Sequence, residues 1–235
     1  MFADYLKKIG QSNLVESVEK VKLNTIVENA FSQDSPIFSD KEVENLFVYK
    51  VPKMSPDGSC SIIDEPAEKP YNLAATFGLS HDRSSLIDNS QIIRLWRLRR
   101  IVDEIFALTK VDWFGIYRKI TNPKGKLVLV KEAYKGLFSR AEFPLTEEFA
   151  KNSNNSTVGL TGKAVVIQNV AEHAGPYYKC DGKVNSEFCS PIFGLDGNLI
   201  GIIDAESFEN SHYSHEKLLQ IAKVCFDLGQ RNLGI

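Results

Sequence analysis

The chain has 235 residues, 43% of them hydrophobic and 25% charged, enough to bury a core without disulfide staples. Its 28 basic and 30 acidic side chains leave a formal charge of -2, so no global field draws it to nucleic acid or to an anionic membrane. No apolar run reaches the roughly 18 residues of a membrane span, and Met1 to Ile9 lacks the basic start and apolar stretch of a leader, which makes a cytoplasmic location the expectation.

Along the chain, apolar residues first recur near helical spacing at Leu14, Val15, Val18, Val21, Leu23, Ile26, Val27 and Phe31. This predicts one amphipathic helix or two short ones, broken by the polar segment 29–36. Residues 46–51 read as a short strand ended by Pro52, and the stretch 53–88, punctuated by proline and glycine, as a long irregular arm. Asp88, Asn89 and Ser90 are good capping residues, and behind them Ile92, Leu95, Trp96, Ile101, Val102, Ile105, Phe106 and Leu108 keep mainly to one side. A helix of about 20 residues is expected there, long enough to serve as a spine against a sheet. Arg94, Arg97, Arg99 and Arg100 crowd this helix; in a near-neutral chain they read as a solvated face paired with Asp103 and Glu104 rather than as an anion site.

From residue 111 the pattern turns to strands, at 111–117, 127–130 and 142–145. Asn122-Pro123-Lys124-Gly125 is a turn signal, so the first two form an antiparallel hairpin. Residues 146–158 are polar and read as a mobile surface loop, while Gly159 to Val165 is expected to open a short helix before a strand at 165–170. Gly175 and Pro176 lead into a loop carrying Cys180, followed by strands 187–193 and 199–205 around the turn Leu195-Asp196-Gly197-Asn198. A last amphipathic helix spans about 214–228. The order predicts an α+β fold, an antiparallel sheet with helices packed on one face, at 88–235, preceded by an N-terminal helical and irregular extension at 1–87.

Cysteines stand at 60, 180, 189 and 225 without a CxxC pair, and histidines at 81, 173, 212 and 215 without zinc-finger spacing. Free thiols and no structural metal are expected. Cys180 lies in a polar loop, whereas an inert thiol is normally buried in apolar surroundings. Glu187 follows seven residues later, and Asp204 and Glu206 stand two apart at the end of a predicted strand, either as solvated strand ends or as acids that are costly if buried without purpose. The strand period puts Glu187 and Cys189 on one face, so Cys189 is either a second site thiol or a buried core thiol. Cys225 falls in the apolar stripe of the last helix and reads as core. Trp113 and Tyr117 divide evenly between sheet packing and pocket duty.

Four segments, Asp112-Trp113-Phe114-Gly115-Ile116-Tyr117, Gly159 to Ala164, Cys180-Asp181 through Ser186-Glu187, and Gly201 to Ser207, together resemble a GAF domain over roughly residues 88–235. Within that superfamily they look like the free methionine-(R)-sulfoxide reductase branch. The resemblance implies that Cys180 attacks the sulfoxide sulfur, that Glu187, Asp204 and Glu206 grip the substrate, and that Trp113 walls the pocket with Tyr117 nearby. Asp181, beside the thiol, joins the implied substrate-binding set, and the proton for the departing oxygen is assigned to Glu187. Cysteines that the family carries in the strand matching Arg140 to Pro144 and at the place of Thr161 are absent here, and Glu206 stands where the family shows Asp. Recycling of an oxidised Cys180 then falls to Cys189 or to an external reductant, a small thiol or a thioredoxin-like partner, with no bound cofactor; Cys60 is a further thiol within possible reach. The competing expectation is a non-catalytic sensor that holds a small amino-acid-like or other ligand, with the extension passing on the signal or forming a dimer. A homodimer paired through the helix at 90–109 and the terminal helix is expected in either case.

Overall fold

A computed structural model of the chain describes residues 1–55, 61–79, 86, 89–175 and 182–234, with the backbone alone for 61–64. The extension begins with α1 (Phe2–Lys8), a 3-10 helix (Ser12–Lys20) and α2 (Ile26–Ser32). The apolar repeat at 14–31 is therefore carried by two short helical pieces. The link between them is held extended from outside: Gln220 accepts from Asn24 N at 3.1 Å and donates to Lys22 O at 2.9 Å.

Next come α3 (Asp40–Phe47), β1 (Val48–Tyr49), β2 (Pro52–Met54), β3 (Ser61–Pro66), β4 (Tyr71–Asn72) and α4 (Leu73–Thr76). Here the expected strand at 46–51 shrinks to two residues. Ser39 and Glu42 form a capping box that starts a helix running through Phe47. The expected irregular arm at 53–88 is likewise ordered in part, since β2 pairs with β3 and β4 pairs with β1.

The spine helix α5 (Ser90–Thr109) starts where expected, with the Asn89 side chain accepting from Gln91 N. After it run β5 (Trp113–Thr121), β6 (Leu127–Lys135), β7 (Glu142–Pro144), α6 (Glu147–Ala150), α7 (Asn154–Thr161), β8 (Val165–Ile167), β9 (Ser186–Phe193), β10 (Leu199–Ser207) and α8 (His215–Gln230). The six strands make one antiparallel sheet in the order β7-β6-β5-β10-β9-β8. A bulge between Ile116 and Tyr117 of β5 sets Lys131 opposite Tyr117 but Ala133 opposite Ile116, leaving Glu132 as the extra residue.

Strand alternation sorts side chains to the two faces. Phe114, Ile116, Phe188, Ile192, Ile203 and Ala205 share a buried core with Ile101 and Ile105 of α5 and Leu219 and Cys225 of α8. Tyr5, Leu6, Ile26, Val27 and Ala30 of the extension complete that core. Trp113, Tyr117, Leu129, Phe143, Cys189 and Ile202 point to the other face, which α7 partly covers. The long helices thus stack on one face, as expected, and α2 lies against both α5 and α8, the pair that the expected homodimer would use.

Two expectations on this frame are corrected. Arg94 is not part of a solvated face: it is 2% exposed and donates from both terminal nitrogens to Glu132 at 2.6 and 2.7 Å. Arg99 reaches Asn45 O and Arg97 stacks over Phe31, because the extension covers that side of the helix. The polar stretch 146–158 is helical rather than a loop, with Thr146 and Ser153 as caps for α6 and α7. Gly162 consequently ends α7 in the left-handed region at φ 65° instead of opening a helix. No helix among the described residues is long and apolar enough to cross a membrane.

Candidate functional site

On the face away from the long helices, the sheet register sets Glu206 opposite both Glu187 and Trp113, and Asp204 opposite both Cys189 and Gly115. Carboxylate oxygens of Glu187, Asp204 and Glu206 lie within 4.8 Å of one another. Their spacing suits one positive centre, an ammonium group or a metal ion. Glu187 and Asp204 are 5% and 3% exposed, so the cluster is sunk in the protein rather than spread along a solvated strand end.

The N-terminus of α7 lies above these acids and supplies neutral donors to them. Asn154 Nδ2 donates to Glu187 Oε1 at 3.1 Å, and Asn155 Nδ2 donates to Asp204 Oδ2 at 2.9 Å. The other end of the Asn155 amide accepts from Cys189 Sγ at 3.3 Å. Asp204 Oδ1 is buried and has no hydrogen-bond partner among the described residues. A narrow cavity runs between Phe143, Ser153, Asn154, Asn155 and the three acids, with a free volume of about 10 Å³, space for about one water molecule.

Burial dominates the ionisation of these groups. It raises the Asp204 carboxyl to about 6, against the opposing pull of the Asn155 hydrogen bond and the Lys131 charge. Burial, reinforced by the charges of Asp204 and Glu187, pushes the Cys189 thiol well above its ordinary value. Cys189 accordingly keeps its proton at neutral pH and acts as a donor, not as a thiolate. Lys131, wholly buried on the same face, donates to Ser139 O at 2.8 Å and Ser139 Oγ at 2.7 Å and sits 4.0 Å from the centre of the Tyr134 ring.

Trp113 folds over its own strand. A Cβ on Gly115 would lie 2.2 Å from the indole Cη2, so the absence of a side chain there is what lets the ring lie flat. The indole donates from Nε1 to Leu137 O at 2.9 Å and stacks on Tyr134 at 6.2 Å. Trp113 and Tyr117 share the face of the acids but do not line the narrow cavity among the described residues.

Of the residues expected at a site, the structure gathers Glu187, Asp204, Glu206 and Cys189. Cys180, Asp181 and Cys60 lie outside the described residues. Ser153, Asn154 and Asn155, which sit over the acids, fall in the stretch whose polarity predicts a surface loop. A cap at Ser153 and a glycine at 162 bracketing eight residues is the local signal that marks this helix.

The sequence profile of the GAF domain family matches residues 97–229. Among solved structures, the type II free methionine-R-sulfoxide reductase of Thermoplasma acidophilum is 21% identical, covering 60% of this chain and 93% of that one at a TM-score of 0.52. The GAF domain region of a Geobacter sulfurreducens protein is 14% identical, covering 63% and 97% at the same TM-score. The GAF domain of an Acinetobacter phosphoenolpyruvate-protein phosphotransferase is 17% identical, covering 58% and 79% at a TM-score of 0.47. No curated protein matches the chain. At these identities the structural likeness speaks to the fold, which reductases and other GAF domains share. The family match spans more than half of the sequence, and the chain belongs to the GAF domain family.

Proposed function

We propose that this GAF domain binds free methionine-(R)-sulfoxide and reduces it with the Cys180 thiol and an external thiol reductant. The observation that supports the reading is the convergence of Glu187, Asp204 and Glu206 within 4.8 Å on a buried sheet face. Such a group is suited to the primary ammonium of a free amino acid, whose three N–H donors are shared among oxygens of the three acids, the protonated one included. A peptide-bound methionine, lacking that ammonium, gains nothing there. Asp204, with a carboxyl at about 6, is mostly ionised at neutral pH and serves as an acceptor.

In the reaction, the Cys180 sulfur bonds to the sulfoxide sulfur while a carboxyl crowded by two others, assigned as Glu187, delivers a proton to the oxygen. The oxygen then ends on Cys180 as a sulfenic acid, and methionine leaves as the reduced thioether. Two equivalents of a small thiol, or one thioredoxin-like dithiol, return the sulfenic acid to the thiol, releasing water and forming a disulfide in the reductant. Ligand of this size enters only if residues around the cavity, which holds about 10 Å³, give way.

A second reading, a non-catalytic sensor of an amino-acid-like ligand, is favoured by Thr161 and by the cysteine-free stretch 140–144. One assay separates the two. Purified protein with a thiol reductant is expected to consume free methionine-(R)-sulfoxide, and Cys180→Ser to lose turnover while retaining ligand binding. Binding without consumption, whichever reductant is supplied, selects the sensor; neither binding nor consumption ends both.

A further inference from the structure

The inference rests on reading the three carboxylates as an ammonium grip. We propose that Cys189, Asn155 and Asp204 form a hydrogen-bonded relay, in which the Cys189 thiol fixes the Asn155 amide and that amide holds Asp204 as an oriented acceptor for the ligand's ammonium. Asn155 and Cys189 are then positioning residues, and Cys189 is not a second redox thiol.

The atoms allow one direction of donation only. A carboxylate oxygen accepts, so the Asn155 atom 2.9 Å from Asp204 Oδ2 is Nδ2. That leaves Asn155 Oδ1 facing Cys189 Sγ at 3.3 Å, and the thiol must supply the proton between them. It is able to, because burial keeps the thiol protonated. Reversing the amide would set two acceptors, Asn155 Oδ1 and Asp204 Oδ2, against each other. Cys189 is 0% exposed, Asp204 3% and Asn155 5%, so bulk water does not compete for these bonds.

With Oδ2 taken, the second oxygen of Asp204 is buried without a hydrogen-bond partner among the described residues, in a residue that lines the cavity. A buried acceptor left in that condition is costly unless a donor arrives. Glu187 and Cys189 from β9, Glu206 from its own strand, Lys131 from β6 and Tyr117 from β5 share this face with Asp204, whose ionised form is opposed by burial and favoured by the Asn155 hydrogen bond, the Lys131 charge and the Ala205 backbone N–H. Tyr213, which bonds Ala205 O, lies behind the sheet. From α7 the neutral amides of Asn154 and Asn155 reach Glu187 and Asp204, and the Asn155 contact favours the ionised form of Asp204.

The test uses the full chain and two readouts, the Asp204 carboxyl carbon followed by NMR against pH and the affinity for free methionine sulfoxide against pH by calorimetry. Wild-type protein should titrate at about 6, with affinity falling on the acid side of that midpoint. Asn155→Ala should move the midpoint up by about one pH unit and weaken binding about tenfold near that pH. Cys189→Ala should move both in the same direction by less, and Cys189→Ser, which restores a donor, should bring both back toward wild type. An unmoved midpoint in both alanine variants overturns the relay. A midpoint that moves as stated in a protein that binds no methionine sulfoxide at any pH overturns the ammonium-grip reading instead, and the two failures are thereby told apart.

Discussion

Two clusters of ionisable side chains are buried on opposite faces of one sheet, and they are assembled differently. On the helix side Glu132 is held by Arg94 at 2.6 Å and by Arg118 at 2.7 Å, opposite charges in contact with almost no exposure of the Arg94 and Glu132 side chains. On the other side Glu187, Asp204 and Glu206 crowd like charges within 4.8 Å, and neutral amides hold two of them. The first cluster sets opposite charges against each other, two guanidiniums on one carboxylate, although Arg118 Nε lacks hydrogen-bond geometry there. The second carries an acceptor, Asp204 Oδ1, that has not found a donor. Burial alone is therefore a poor guide to function; what distinguishes the two is whether the charges are answered within the fold.

Breaking the first cluster should have the largest effect. Glu132→Ala leaves Arg94 buried with its acceptor gone, and a loss of about 3–5 kcal/mol in unfolding free energy is expected by denaturant titration. A loss below about 1 kcal/mol would mean that water or another acceptor reaches Arg94, and the contrast drawn above would fail. Asp204→Asn should act in the opposite direction. Raising the Asp204 carboxyl from its ordinary 3.8 to about 6 means that the native state binds the proton more tightly than the unfolded state. The wild-type protein is thus favoured at acid pH and loses that advantage as pH rises from about 4 through 6. Replacing the carboxyl by a neutral amide removes a cost of up to about 3 kcal/mol above that range. The variant should accordingly unfold at higher denaturant than wild type at alkaline pH, and the gain should shrink toward zero below about pH 4. No gain at alkaline pH would mean that Asp204 is already compensated.

Much of this contrast was legible in the sequence, unevenly. The strands carrying Glu187, Asp204 and Glu206 declare themselves by alternation bounded by turns, and period two alone aligns Glu187 with Cys189. Position within each strand was enough there, because the acids are local to β9 and β10. What sequence polarity misread is the cover. Asn154 and Asn155 look like surface residues because nothing local says that α7 turns them down onto buried acids; tertiary contact reverses the usual meaning of a polar run. Arg94 was misjudged for the same reason, since its partner Glu132 is 38 residues away on a bulged strand. Residues 46–51 read as a strand although the Ser39 and Glu42 capping box announces α3, and the prolines and glycines of 53–88 hide the short β2–β3 and β1–β4 pairings.

The smallest expected effect marks the lower limit of the comparison. Lys53 and Glu65 form an ion pair at 3.0 Å, as short as many buried contacts, yet their side chains are 60% and 56% exposed. At that exposure, solvent screens the attraction and holding two long side chains costs entropy, so Lys53→Ala should change unfolding free energy by less than about 0.5 kcal/mol. The measurement is the same denaturant titration used for Glu132→Ala, repeated at high salt, where the small difference should vanish. If instead the loss approached that of Glu132→Ala, distance rather than burial would govern the ion pairs of this protein. Burial would then give Glu187, Asp204 and Glu206 no greater demand for a cationic partner than an exposed carboxylate has.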